Sequence, residues 1–157
     1  MRVHFIKIAS YMAVLITLCD QFTKSWVVRN VMSPPSYYPV ARFIDFTLVW
    51  NMGITFGLMN RVNHLVMPYI LIGASIVVLA LLGRWLWHTS SLLVTLALGS
   101  IMGGALGNII DRVRYGAVVD FIDVYYGNYH WYTFNLADAA IVSGVILLSF
   151  DSLVRGK

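Results

Sequence analysis

The sequence predicts an integral membrane all-α bundle of four transmembrane helices with a small β platform, on three observations. Hydrophobic residues make up 59% and charged residues 11% of the 157, and a mean hydropathy of +0.76 is too high for an ordinary soluble domain. Long uncharged runs recur, with no Lys, Arg, Asp or Glu from Val62 to Gly83 or from Trp85 to Ile110. Two segments between the apolar runs alternate in the manner of strands.

The whole chain, 1–157, is read as a single membrane domain. A helix needs about 20 apolar residues to cross the hydrocarbon core, which sets spans at about 6–28, 64–83, 88–110 and 134–153 and outer segments at 29–63 and 111–133. The start, MRVHFIKIASYMAVLITLCDQ, pairs basic residues with an apolar run and is weighed as a cleaved signal peptide. Leu18 is large where a lipoprotein cleavage site wants a small residue, and no small-x-small site follows. The segment is therefore expected to be a retained first span, with Asp20 in its later half and Lys24 one turn on. The last span reaches full length only by taking Asp138 inside it, because twelve residues separate Asp138 from Asp151.

Four spans put both termini on one side. Lys and Arg should mark the cytoplasmic face, but Arg2, Lys7, Arg84, Arg155 and Lys157 on the terminal side nearly balance the six residues opposite. Charge leaves the orientation open.

In ARFIDFTLVWN, Ile44, Phe46, Leu48 and Trp50 alternate with Asp45, Thr47 and Val49, a period-2 pattern. AVVDFIDVYY and GNYHWYTF have similar character, with Gly127-Asn128 as a turn between them. Together they predict a β platform on the membrane surface, whose Tyr and Trp suit the headgroup zone. Gly99, Gly103 and Gly107 recur every four residues and mark a packing seam on the third span. If the third and fourth helices pack along that seam, Asp120 and Asp138 can meet at the membrane boundary.

Several function classes drop out. The net charge is +4 and the isoelectric point near 9.4, but the basic residues are scattered singly, without the stripe that nucleic acid requires. Cys19 is alone, and His4, His64, His88 and His130 lie too far apart for metal-ligand spacing, so no metal is expected.

The acids are the informative residues. All seven are Asp, and four fall between 111 and 138. Asn108, Asp111 and Arg112 stand at i, i+3 and i+4, and Asn135 and Asp138 at i and i+3, so each set shares a helix face. Two carboxylates within a few ångströms cannot both ionise cheaply, so one pKa rises and the pair shares a proton. Such a pair takes a proton from an attacking water and gives one to a leaving nitrogen, with no cofactor. Plainer roles are also open: a helix-end ion pair for Asp111 and Arg112, and a salt bridge for Asp20 and Lys24. Asp138 is functional by default, as an ionisable group inside a membrane helix. A proton or cation relay and a noncatalytic assembly factor are the competing functions. Against a relay, the acids cluster at one face and no internal repeat is visible.

DQFTK (20–24), NMGITFG (51–57), GGALGNIIDR (103–112), VVDFID (118–123) and FNLAD (134–138) resemble, in order and spacing, the motif set of bacterial lipoprotein signal peptidase, also called signal peptidase II or prolipoprotein signal peptidase. The resemblance implies an aspartyl endopeptidase of the cytoplasmic (inner) membrane, with both termini cytoplasmic and an extracytoplasmic β platform and active site. It implies removal of the signal peptide from diacylglyceryl-modified prolipoproteins by a cut just before the lipidated Cys. Position by position, it puts the catalytic dyad on Asp120 and Asp138. Asn51, Asn108, Arg112 and Asn135 match the polar residues around dyad and substrate, and Asp20 and Lys24 match the first-span pair. Gly53 and Gly104 match the glycines, and Asp111 stands among the supporting residues. Expected partners are lipid-modified prolipoproteins and membrane lipids, with no nucleic acid and a monomeric chain. Ile54 and Thr55 depart from the small residues the family usually has after the glycine. No role is argued for Asp123.

Overall fold

A computed structural model describes residues 2–31, 37–53 and 65–155. In chain order the elements are α1 (Arg2–Asn30), β1 (Tyr37–Ala41), β2 (Ile44–Asn51), α2 (Met67–His88), α3 (Leu92–Tyr115), β3 (Val118–Tyr126), β4 (Tyr129–His130) and α4 (Leu136–Arg155). All four helices are long and apolar enough to cross a membrane, the form that satisfies every backbone polar group within its own segment where water is absent. The second and third run on to His88 and Tyr115, past the spans expected to end near 83 and 110. The departures at Ile54 and Thr55, and the start of the second span at 64, lie outside the described residues.

Local chemistry sets the helix ends. Pro68 opens α2 in the first turn, where its missing N–H costs nothing. Ser91 caps α3 by accepting from the Val94 N–H at 3.3 Å, and Gly116 ends it in the left-handed conformation at φ 70°, the usual glycine stop.

The central helix is α3, packed between α1 and α4. Here the structure corrects the expected partner of the glycine seam. A Cβ at Gly99 would lie 2.8 Å from Ala9 O and one at Gly103 2.7 Å from Ala13 O, so the seam receives α1 rather than α4. Thr17 seals the α1 contact by donating to Gly103 O at 2.9 Å. The close approach to α4 falls on Gly104, where a Cβ would collide with Ala137 O, and on Gly144 of α4 against Ala97 and Ile101. The i+4 repeat marks a face for close approach but does not name the helix that uses it.

The platform is one antiparallel sheet in the order β1-β2-β3-β4. Gly127, at φ 62°, makes the expected two-residue turn with Asn128 between β3 and β4. The sequence reading missed β1, an exposed edge strand whose Pro39 is tolerated only at such an edge. One face of the sheet sits on the end of α1, through Val27, Val31, Leu48, Val119 and Phe121. Successive strand residues point to opposite faces, so Asp120, between Val119 and Phe121, is turned away from α1 and toward the start of α4.

Candidate active site

A β-bulge completes the Asp120 face. Ile44 to Phe46 pair with Val124 to Ile122, but Val49 pairs with Asp120, so β2 carries one extra residue between them. Had the first register continued, Asp120 would face Leu48, and Asn51 would lie on the other side of the sheet. With the bulge, Asn51 becomes a diagonal neighbour of Asp120 on the same face, and its Nδ2 donates to Asp120 Oδ2 at 2.9 Å. Its Oδ1 accepts from the Gly53 N–H at 2.8 Å, which fixes the amide's orientation. Gly53 makes that turn at φ 81°, a conformation that favours glycine.

Asp138 arrives through a reciprocal cap at the start of α4. Asn135 Oδ1 accepts from the Asp138 N–H at 2.9 Å, and Asp138 Oδ2 accepts from the Asn135 N–H at 3.3 Å, the geometry of a capping box. Asn108 Nδ2 donates to Asp138 Oδ1 at 2.9 Å. Asn135 Nδ2 donates to Asp120 Oδ1 at 2.7 Å and to Asn108 Oδ1 at 3.2 Å. One asparagine therefore holds both carboxylates, through its main chain on one side and its side chain on the other.

Beneath lies a buried ionic cluster. Lys24 Nζ stands 2.8 Å from Asp20 Oδ2 and 2.8 Å from Asp111 Oδ2, and donates to Asn108 Oδ1 at 3.0 Å. The expected Asp20–Lys24 spacing thus makes an ion pair, but a fully buried one. Asp111 turns to Lys24 rather than to its neighbour Arg112. Gln21, which the sequence reading passed over, donates to Asp111 Oδ1 at 2.8 Å. An amide that far into a membrane span is itself a signal, because it must find partners inside the bundle.

Arg112 sits half-buried, donating to Asn108 O at 3.4 Å. It lines a cleft of about 330 Å³ with Met52, Tyr69 and Tyr115. Asp120 opens onto a cleft of about 400 Å³ with Trp50, Asn51 and Thr133. Asp138 opens onto one of about 410 Å³ with Phe134, Ala139 and Val142. Asp123 stays out of the site: three residues beyond Asp120, it points to the opposite sheet face, opposite Asp45, and pairs with His130 Nδ1 at 2.8 Å.

Burial pushes the Asp120 carboxyl up to about 6, and the neighbouring charge of Asp138 pushes the same way. The amides of Asn51 and Asn135 and the charge of Lys24 pull it down. A carboxyl so poised exchanges a proton near neutral pH, as an acid–base group must.

The Signal peptidase (SPase) II family matches residues 12–154 of this sequence. The chain belongs to the signal peptidase II family. A lipoprotein signal peptidase of Methylorubrum extorquens (strain PA1) is 44% identical over 145 residues, covering 90% of this chain and 83% of that protein. One of Methylocella silvestris is 40% identical over 152 residues, covering 96% and 88%. Two bacterial membrane enzymes solved by the in meso method, at 2.3 and 1.9 Å, each superpose with a TM-score of 0.82. They are 29% and 30% identical to it and cover 98% and 95% of this chain and 92% and 94% of their own. With four helices among the described residues long and apolar enough to cross a membrane, this signal peptidase II family member is a multi-pass bacterial membrane peptidase.

Proposed function

We propose that the chain is an aspartyl endopeptidase that removes the signal peptide from diacylglyceryl-modified prolipoproteins by cutting the bond just before the lipidated Cys. Asp120 and Asp138 form its dyad. The observation that carries this reading is Asn135, whose donors hold both carboxylates at one site.

Asp120, with its raised pKa, holds the shared proton and hydrogen-bonds the scissile carbonyl oxygen. Asp138 takes a proton from water, whose oxygen attacks the carbonyl carbon. Asp120 then protonates the cysteine nitrogen as the C–N bond breaks, and the pair returns to its one-proton state. Asn51, Asn108 and Asn135 hold the carboxylates against rotation, and Arg112 and Gly53 lie beside the substrate path. Lys24, Asp20 and Asp111 support them from below.

The substrate is an apolar helix with a lipid at its end, so its scissile amide reaches the interface, where the platform meets the bundle. The apolar wall of the Asp138 cleft, with Ala139 and Val142, suits such a helix, and the platform clamps it from above. Both termini are cytoplasmic, the site lies near the outer face of the inner membrane, and the chain acts as a monomer in contact with membrane lipids.

Mass analysis of the products from a diacylglyceryl-modified prolipoprotein tests this. A single cut before the lipidated Cys is expected, with the unlipidated precursor cut poorly. Equal cutting of both forms, or a cut elsewhere, would count against it.

A further inference from the structure

Two buried carboxylates outside the dyad hold backbone amides, and the positions of those amides are informative. Asp111 Oδ2 accepts from the Val119 N–H at 3.1 Å, the residue just before Asp120. Asp20 Oδ1 accepts from the Ala137 N–H at 2.9 Å, the residue just before Asp138. Each dyad aspartate is thus preceded by a peptide anchored to a carboxylate from another helix. Both anchors converge on one ammonium, Lys24 Nζ, at 2.8 Å each, and all three side chains are almost wholly buried.

We infer that Lys24 is the positioning residue that sets the spacing of the dyad: through Asp111 it ties down β3 at Asp120, and through Asp20 it ties down α4 at Asp138. The inference rests on the dyad reading above. Geometry explains why one cation serves both arms. β3 and α4 are separate elements, and the close fit of α4 on Gly104 fixes α4 on α3 but not on the sheet. At the entry to α4, Phe134 pairs with Ile122 and Asn135 bonds Asp120. Lys24 joins the two elements a second time from below, and its third bond, to Asn108 Oδ1, orients the amide that donates to Asp138. A plain salt bridge on α1 would need only Asp20. The bonds of Lys24 go to Asp20, Asp111 and Asn108 and not to a dyad carboxylate, so it acts through the anchors. Its charge also reaches Asp120, where it favours the ionised form.

The test compares Lys24→Met, Asp20→Asn and the control Thr17→Val, which loses an α1–α3 bond without touching the clamp that Lys24, Asp20 and Asp111 form. Each is purified as the full chain and assayed on a diacylglyceryl-modified prolipoprotein, with Asp120→Asn alongside. Misplaced reacting groups cost rate rather than affinity, so kcat should fall about 100-fold in Lys24→Met and about 10-fold in Asp20→Asn, with KM within about 3-fold. The pH limb set by Asp120 should move upward in Lys24→Met and stay in Asp20→Asn. Thr17→Val should melt earlier with kcat and limb unchanged.

Wild-type kcat in the two clamp variants, with Asp120→Asn inactive, would overturn the clamp and leave the dyad standing. Activity in Asp120→Asn would instead remove the dyad reading beneath it. A loss expressed as a rise in KM, with the limb unmoved, would also overturn the clamp. If Lys24→Met does not fold, Asp20→Asn decides, since it leaves one cation against one anion. Failure of that variant to fold as well would refute a positioning role.

Discussion

Asn135 Nδ2 donates to Asp120 Oδ1 at 2.7 Å, from a residue that is itself the cap of the helix carrying Asp138. The two roles of this side chain separate by substitution. Asn135→Ala loses both, so kcat should fall about 10- to 100-fold and the lost cap should cost about 1 kcal/mol of stability. Asn135→Ser restores a capping oxygen but not the reach to Asp120. Melting temperature should recover while kcat does not; joint recovery would mean that the bond to Asp120 is idle.

The raised pKa of Asp120 has a signed consequence for stability. Its folded value, about 6, lies above that of the unfolded chain, so folding favours the protonated form. The contribution is full below about pH 4 and is lost as pH rises through about 6, a swing of about 3 kcal/mol for a shift of about two units. Asp120→Asn lacks this titration. Relative to that variant, the wild type should lose melting temperature between about pH 4 and pH 8. Parallel curves would show that burial does not perturb Asp120. In the same window the kcat/KM of the wild type should fall above about pH 6, as the shared proton is lost.

The bulge in β2 accommodates one extra residue, and deletion tests whether register is all it sets. Without Thr47 the strand runs continuously with Val49 still opposite Asp120 and Asn51 still opposite Val118, so Asn51 keeps its face. Activity of the Thr47 deletion should stay near wild type, whereas Asn51→Ala should lose about 10-fold for one hydrogen bond to a charged group. A loss in the deletion as large as in Asn51→Ala would show that the bulge itself, and not only the register beyond it, places Asn51.

Close helix approach makes a contrast within one residue type. A Cβ at Gly103 would meet Ala13 O at 2.7 Å, whereas one at Gly73 on α2 would meet nothing within 4 Å. Gly103→Ala should therefore destabilise the protein by about 1–3 kcal/mol, and Gly73→Ala should leave thermal unfolding in detergent unchanged. Equal effects would mean that the α1–α3 contact is softer than the geometry implies.

Much of this arrangement is legible in the residues. Uncharged runs of spanning length show the helices because lipid leaves the backbone no other option. The Asn-x-x-Asp spacing of 135 and 138 fixes a shared face, and Asp138 inside an apolar run announces itself by its cost. Other features are out of reach. The bulge depends on one uncounted residue between Phe46 and Val49, which the alternation of Ile44 to Trp50 conceals. The glycine repeat shows that a helix comes close but not which one, and α1 took the place expected for α4. Val119 and Ala137 act through backbone amides, which any residue but proline supplies, so nothing in their side chains points to Asp111 or Asp20. Asp123 lies only three residues from Asp120, yet nothing in the sequence argues a role for it. An odd separation along a strand puts it on the opposite face.

The most direct measurement is turnover of a diacylglyceryl-modified prolipoprotein by purified wild type, Asp120→Asn and Asp138→Asn under single-turnover conditions. If Asp120 and Asp138 form the dyad, the wild type should release the signal peptide. Each variant should be slower by at least about 1,000-fold, as expected when a dyad loses one of its acid–base groups, with circular dichroism unchanged. Cleavage within tenfold of wild type by either folded variant, roughly 1.4 kcal/mol in barrier height, would contradict the dyad.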